Sequence, residues 1–182
     1  MGRPIGYDTQ AVRQQVLAAF WSAGYAETSL GALERATGLD RRQLYNGFGD
    51  KRAMFVSALD DFNDMAGQRF FAPLEAAGAG PEEIVALFHR YLELCRSEDG
   101  RRGCLMCNTA SEKIASDPLV AGRLNAYFDR IEAAYRNALP AHERHRAPVL
   151  LATHVALCVL ARAGASLPRL EAMAAAALAA HV

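Results

Sequence analysis

Apolar residues recur at helical spacing along nearly the whole chain, and no other feature limits its fold as much. Val12, Val16, Ala19 and Phe20 stand at i, i+4, i+7 and i+8, the stripe of an amphipathic helix that closes near Gly24. Thr28 or Ser29 is placed to cap a second, short helix with Leu30, Leu33 and Ala36 inward. Gly38 stops that helix, and Asp40 is placed to cap a third carrying Leu44, Tyr45 and Phe48. After a break at Gly49, a longer helix is expected from about Asp50 through Phe71, ending at Pro73.

The Ala/Gly-rich segment from Leu74 to Gly80 is weakly patterned and is the best compositional boundary. Pro81 suits a first helical turn, and Ile84, Leu87, Phe88, Tyr91 and Cys95 follow as a clear stripe. Ser97 to Gly103, SEDGRRG, reads as a turn, and Cys104 to about Ala115 as a helix. Asp117-Pro118 is a cap and first turn for a helix with Val120, Leu124, Tyr127, Phe128, Ile131 and Tyr135 inward. Two further helices are expected at about Ala147 to Ala163 and Leu167 to Ala180. No run alternates with period two in β-branched residues, so the fold class is all-α, with roughly nine helices.

Composition narrows the setting. With 52% hydrophobic and 22% charged residues the chain is no disordered segment. Four cysteines, Cys95, Cys104, Cys107 and Cys158, are too few and too scattered for a disulfide scaffold. The N-terminus is polar without a signal-like apolar stretch, and no window reaches the ~18 apolar residues of a membrane span, so a soluble cytoplasmic protein is expected, with no membrane partner. Twenty basic and twenty acidic side chains cancel, which on its face argues against a nucleic-acid partner.

The first fifty residues argue the other way. Three short helices, the last two joined by a tight turn at Gly38, are the sequence form of a helix-turn-helix. Small Ala32 and Ala36 allow two helices to cross closely, and Leu39 plugs the core beneath. Arg41, Arg42 and Gln43 then stand at the start of the third helix, where side chains reach base edges in a major groove. A solvated polar face would use the same residues. The stretch GRPIGYDTQAVRQQVLAAFWSAGYAETSLGALERATGLDRRQLYNGFGDKRAMF, which starts at Gly2, resembles the DNA-binding domain of the TetR-type transcriptional regulators, closely over about residues 3 to 55. The remainder matches in length and helical layout, and GCLMCN, starting at Gly103, is similar to a segment in one branch of that family.

The resemblance implies a three-helix DNA-binding domain (residues 1–52) and a roughly six-helix ligand-binding and dimerisation domain (residues 53–182) in a homodimeric, usually repressing regulator. A small-molecule effector would bind the second domain and release double-stranded operator DNA. Carried over by position, Thr28 and Ser29 would touch phosphates, Arg41, Arg42 and Gln43 would read bases, Tyr45 would lean on the backbone, and Lys51 would hold a phosphate. Gly47 departs from the family, where many members have histidine; it removes a backbone contact and loosens the helix end. Charge is distributed in keeping with this division. Residues 1–52 hold seven cations (Arg3, Arg13, Arg35, Arg41, Arg42, Lys51, Arg52) against five anions (Asp8, Glu27, Glu34, Asp40, Asp50), a balance of +2 that leaves −2 for the remainder.

Candidate ligand-binding residues are Phe62, Met65, Phe88, Tyr91, Cys95, Met106, Tyr127, Phe128 and His154, inward on the middle helices, where plain core is the competing reading. His89 is taken as structural. Cys104 and Cys107 share a helix face just after Arg101-Arg102, so a reactive thiol pair sensing oxidants or electrophiles stands beside the reading of two small buried side chains. Zinc is disfavoured, since one C-x-x-C lacks a second pair and only His142 and His145 have histidine spacing; no metal or other cofactor is expected. The stretch APVLLATHVALCVLARAG is apolar nearly all round, which points to homodimerisation through Val149, Leu150, Thr153, Ala156, Leu157 and Leu160, with Leu170, Met173 and Leu178 of the last helix. No catalytic constellation stands out, so an enzyme is not expected. The remaining alternative is a helical thiol-redox or metal-binding module that never touches DNA.

Overall fold

The computed structural model describes residues 7–179, with the side chains of 98 and 99 left aside; Arg3 and the outer ends of both expected domains lie outside the described residues. Within them the chain is helical without strands. Eleven α-helices follow in order: α1 (Thr9–Glu27), α2 (Leu30–Thr37), α3 (Arg41–Phe48), α4 (Lys51–Ala66), α5 (Ala72–Glu75), α6 (Pro81–Leu94), α7 (Glu98–Arg101), α8 (Leu105–Ala110), α9 (Pro118–Ala138), α10 (Ala147–Arg162) and α11 (Leu167–Ala179). Two of these, α5 and α7, are single turns.

Short polar side chains fix the starts of the first four helices. Asp8, Ser29, Asp40 and Asp50 each accept a backbone N–H two or three residues ahead, and Asp40 with Gln43 closes a full capping box. Gly38, at φ 69°, ends α2 in the left-handed conformation that a residue with a Cβ resists. Leu33, Leu39 and Leu44 seal the small core beneath this turn, whereas Ala36, expected inward, is exposed. α1 does not close at Gly24. It bends there, at φ 79° and ψ 176°, and a further turn runs to Glu27.

Three other boundaries differ from expectation. Pro73 does not end the long helix: the ladder widens into a π-helical turn over Gly67–Phe71, and α5 continues with Pro73 in its first turn, where a missing N–H costs nothing. Ser97 to Gly103 is more than a turn, since Glu98–Arg101 coil once. The helix expected from Cys104 to Ala115 stops at Ala110, followed by a 3₁₀ turn at Lys113–Ser116.

One contiguous apolar core runs from Val12 to Ala174. α4 joins both parts of the chain to it, its Phe55 meeting Phe20 of α1 edge-on at 5.0 Å and its Phe62 facing Tyr127 of α9 at 6.2 Å. Arginines reinforce the α4 and α5 junctions. Arg13 pairs with Asp61, Arg123 with Asp60, and Arg130 with Glu75. No helix among the described residues is long and apolar enough to cross a membrane.

Candidate nucleic-acid interface and ligand cavity

α3 lies on the surface with one buried anchor, Leu44, and its outer face bears Arg41, Arg42, Gln43, Tyr45 and Asn46. Arg41 is exposed, with Nε 3.9 Å from Glu34 Oε1 across the turn, and Tyr45 is 41% exposed despite its size. Gln43 is committed in part: its Oε1 accepts the Asp40 N–H at 3.0 Å, leaving only the amide NH₂ to donate outward. Bidentate pairing with adenine, which needs both ends of the amide, therefore requires the capping box to open.

Ser29, the N-cap of α2, is exposed as expected. Thr28 is not. It is 1% exposed, and its hydroxyl donates to Gly24 O at 2.6 Å, so its side chain is a lock on the α1 bend and cannot reach a phosphate. Lys51 opens α4 with its ammonium 4.4 Å from the Tyr25 ring centroid, poised beside the α3–α4 turn. Arg52, counted with the local cations, is engaged elsewhere: Nε and Nη2 donate to the two oxygens of Asp117 at 2.6 and 2.8 Å. That contact holds the Asp117 carboxyl below its ordinary range. Gly47 does not loosen α3, which continues through Phe48; the Tyr7 hydroxyl occupies the space that a Cβ there would need.

Between α4, α6, α9 and α10 lies a cavity of about 160 Å³. Five of the nine expected ligand-binding residues line it: Phe62, Met65, Tyr91, Tyr127 and His154. Four do not. Phe88 lines a separate groove with Leu178 and Met106 another with Arg123, while Cys95 is buried and Phe128 half-buried away from the cavity wall. The residues that sequence reasoning missed come from places where periodicity was broken or read differently. Ala66, Arg69, Phe70 and Phe71 arrive together because the π-helical turn rotates consecutive residues to one side. Trp21 reaches over from α1, its Nε1 donating to Gly103 O at 3.0 Å. Arg69 and Arg102, both exposed, stand at the rim.

The thiols of Cys104 and Cys158 also line this cavity. Cys104 is the N-cap residue of α8, with Sγ 3.5 Å from the Tyr127 hydroxyl. Burial works to raise its pKa, but hydrogen bonds from Cys107, Cys158 and Tyr127 outweigh it and bring the thiol well below its ordinary value. Cys107 and Cys158 are pushed up in the same cluster, Cys107 first of all by its hydrogen bond to Cys104. Arg101 and Arg102 are therefore not what lowers the Cys104 thiol; neighbouring S–H and O–H donors are. The Tyr91 hydroxyl has no hydrogen-bond partner of ordinary geometry, only the weakly bonding sulfurs of Cys95 and Cys158 beside it. His154 is held below its ordinary pKa by burial and bonds Tyr135 Oη through Nδ1 at 3.1 Å. Among the described residues, no group of three or more His, Cys, Asp or Glu side chains is arranged to hold a metal ion.

α10 divides its apolar residues between two faces. Leu150 and Leu157, and Leu170 on α11, are each about 1% exposed or less, and fill the chain's own core. They were expected at a subunit interface, and burial within the chain rules them out as surface contacts. Val149, 60% exposed, with Thr153, Ala156 and Leu160 remains on the outer face, where Val159 and Ala152 complete the stripe. Thr153 donates its hydroxyl back to Val149 O at 3.0 Å, which leaves that face apolar. Met173 and Leu178 are half-buried.

A helix-turn-helix on a larger all-helical body defines the architecture of a DNA-binding transcriptional regulator, and comparison with known proteins agrees. No family model matches the chain. It is 30% identical over 139 residues to the uncharacterized HTH-type transcriptional regulator YezE of Bacillus subtilis (strain 168), covering 76% of this chain and 72% of that protein. It is 28% identical over 181 residues to the HTH-type transcriptional repressor ComR of Escherichia coli (strain K12), covering 93% and 86%. Its structure resembles that of a cysteine-substituted TetR family transcriptional regulator, CifR, solved with 26-base-pair double-strand operator DNA, with a TM-score of 0.85, 25% identity, and 98% and 99% of the two chains covered. The chain belongs to the TetR family of helix-turn-helix transcriptional regulators.

Proposed function

We propose that this protein is a homodimeric repressor that binds a palindromic operator through α3 and leaves it when a small molecule or a thiol-modifying signal acts at the cavity. The observation that carries the reading is the outer face of α3, where Arg41, Arg42 and Tyr45 stand exposed over a single buried leucine. Arginine pairs bidentately with guanine, and a two-fold axis would set two such helices about 34–36 Å apart, one turn of B-DNA. Ser29 and Lys51 flank α3 as phosphate contacts, residues 1–52 form the DNA-binding unit and residues 53–182 the responding unit. The outer stripe of α10 supports dimerisation, because an apolar face of this extent is otherwise left in water. Nothing in the constellation supports catalysis.

The experiment is operator binding by the full chain, using DNA from upstream of its own gene, across a salt series. Steep salt dependence together with a loss of about 1–3 kcal/mol in Arg42→Ala is expected. An Arg42→Ala protein that binds as tightly as the parent would refute the α3 assignment. No binding to any palindrome would leave the alternative, a helical thiol module.

A further inference from the structure

The cavity carries two chemically distinct groups on an otherwise aromatic wall, and their arrangement limits what it takes. The first is His154, 94% buried by the complement of its 6% exposure. Its Nδ1 is spent on Tyr135 Oη at 3.1 Å. Tyr135 is fully buried, and His154 is the one hydrogen-bond partner of its hydroxyl among the described residues. A buried phenol keeps its proton and must place it on an acceptor. Tyr135 therefore donates, Nδ1 accepts, and the proton of the neutral imidazole resides on Nε2. Nε2 has no hydrogen-bond partner among the described residues, and the ring is part of the cavity wall. The cavity thus contains a fixed, unpartnered N–H donor.

The second group is the Cys104 thiol, on the same wall and hydrogen-bonded with Tyr127. Among the three clustered thiols it is the one whose surroundings favour the thiolate. Around both groups stand Trp21, Phe62, Phe71 and Tyr91, and the volume of about 160 Å³ is close to the ~150 Å³ that accommodates a benzene ring. An inorganic peroxide would gain nothing from such a wall, whereas a planar organic molecule of one ring would.

We propose that the cavity binds a one-ring α,β-unsaturated carbonyl compound, a quinone or cyclic enone, whose carbonyl oxygen accepts the His154 Nε2–H while Cys104 Sγ adds to the β-carbon. This rests on the reading of the cavity as the responding site and names the class of signal it responds to. In the step, the thiolate electron pair forms the S–C bond and the C=C π pair moves to give an enolate. The oxygen of that enolate gains negative charge against the Nε2–H. Water then protonates the α-carbon, replacing the proton that Cys104 lost on ionisation. No oxidant or reductant takes part. His154 contacts the reacting carbonyl, and Tyr135 is a positioning residue that sets the imidazole tautomer.

The test uses the full-length chain and two reagents. One is 2-cyclohexen-1-one, with cyclohexanone, whose β-carbons are saturated and cannot accept a thiolate, as the control; the other is methyl methanethiosulfonate, which modifies thiols without a carbonyl. Adduct formation is followed by intact mass and located by peptide mapping. The enone should add at Cys104, also in Cys107→Ser and Cys158→Ser, and cyclohexanone should leave the mass unchanged. His154→Leu and Tyr135→Phe should each slow the enone about tenfold or more, as loss of an oxyanion donor does, and change the methanethiosulfonate rate by less than about threefold. His154→Gln, which retains an N–H donor, should recover part of the enone rate. Equal slowing of both reagents in His154→Leu and in Tyr135→Phe would overturn the role of the N–H. An enone adduct confined to another cysteine, or none at all, would overturn the proposal even if operator binding were normal. An adduct at Cys104 supports it even if the modified protein stays on DNA, and in that case it is the release reading that fails.

Discussion

The bend at Gly24 is held by a carboxylate from far along the chain, and substitution there should show strong non-additivity. Glu112 accepts the Tyr25 N–H at 3.3 Å and the Ala26 N–H at 3.1 Å, acting as a cap for the turn that follows the break in α1. Capping bonds of this kind are worth about 0.5–2 kcal/mol, and the half-exposed setting places Glu112→Ala near about 1 kcal/mol. For a chain of this size that lowers Tm by about 2–4 °C. Gly24→Ala meets two penalties. Its φ of 79° with ψ 176° lies in a region nearly closed to other residues, at about 1–3 kcal/mol, and its new Cβ would stand 2.6 Å from Glu112 Oε1. That contact expels the carboxylate, so Gly24→Ala already loses the cap. The double variant should then be about 1 kcal/mol more stable than the two separate losses together imply. Urea denaturation of the four proteins at one concentration measures this directly. Additivity within about 0.3 kcal/mol would refute the capping role of Glu112.

Lys51→Ala should weaken operator binding evenly across sequences and reduce the slope of log K against log salt by about one, read from fluorescence anisotropy at several salt concentrations. Val149→Glu, placing a charge on the exposed stripe of α10, should convert the species seen in sedimentation to a monomer and abolish the rise of Tm with protein concentration expected of the parent dimer. His154 has its pKa lowered in the fold by burial, so the unfolded chain takes up its proton first as pH falls. Its neutral form therefore contributes fully above about pH 6.5, and stability should decline with acidification below that value. His154→Phe should flatten that part of the Tm–pH profile while lowering Tm overall, because Tyr135 loses its partner.

What could be read from the sequence was what neighbours along the chain decide. The stripes of α1, α6 and α9, the Asp40 and Asp117 caps and the Gly38 turn all depend on residues within four positions, and the structure has each of them. The errors lie where distant residues decide. Thr28 has the composition of a surface cap, and only the bend at Gly24 draws its hydroxyl inward. Arg52 looks like one more cation of the DNA face, and only the chain's return at Asp117 shows it to be a tie. The uniform apolarity of α10 could not tell Leu157, packed inside, from Val149, left outside, although the i, i+3, i+7 spacing of Val149, Ala152 and Ala156 was there to be used. The π-helical turn at Gly67–Phe71 had no periodic signal, and it supplies much of the cavity wall.

The stretch from Gly103 to Asp117 connects the cavity to the N-terminal helices through three contacts made by one continuous piece of chain. At its start Gly103 O accepts from Trp21 Nε1, and Cys104 turns into the cavity. Five residues beyond Cys107, Glu112 caps the bend of α1; five further, Asp117 grips Arg52 at the first turn of α4 while capping α9. α8 between them is under two turns long and buried on most of its residues, so it has little slack. A group added at Cys104 must be accommodated either by the cavity wall or by displacement of α8. The second route acts on Glu112 and Asp117, the side chains that orient α1 and α4 around the helix-turn-helix. Packed elements of this kind move between discrete arrangements instead of deforming gradually. On the proposed reading, a small chemical change in the cavity would reach α3 through covalent continuity and two carboxylates.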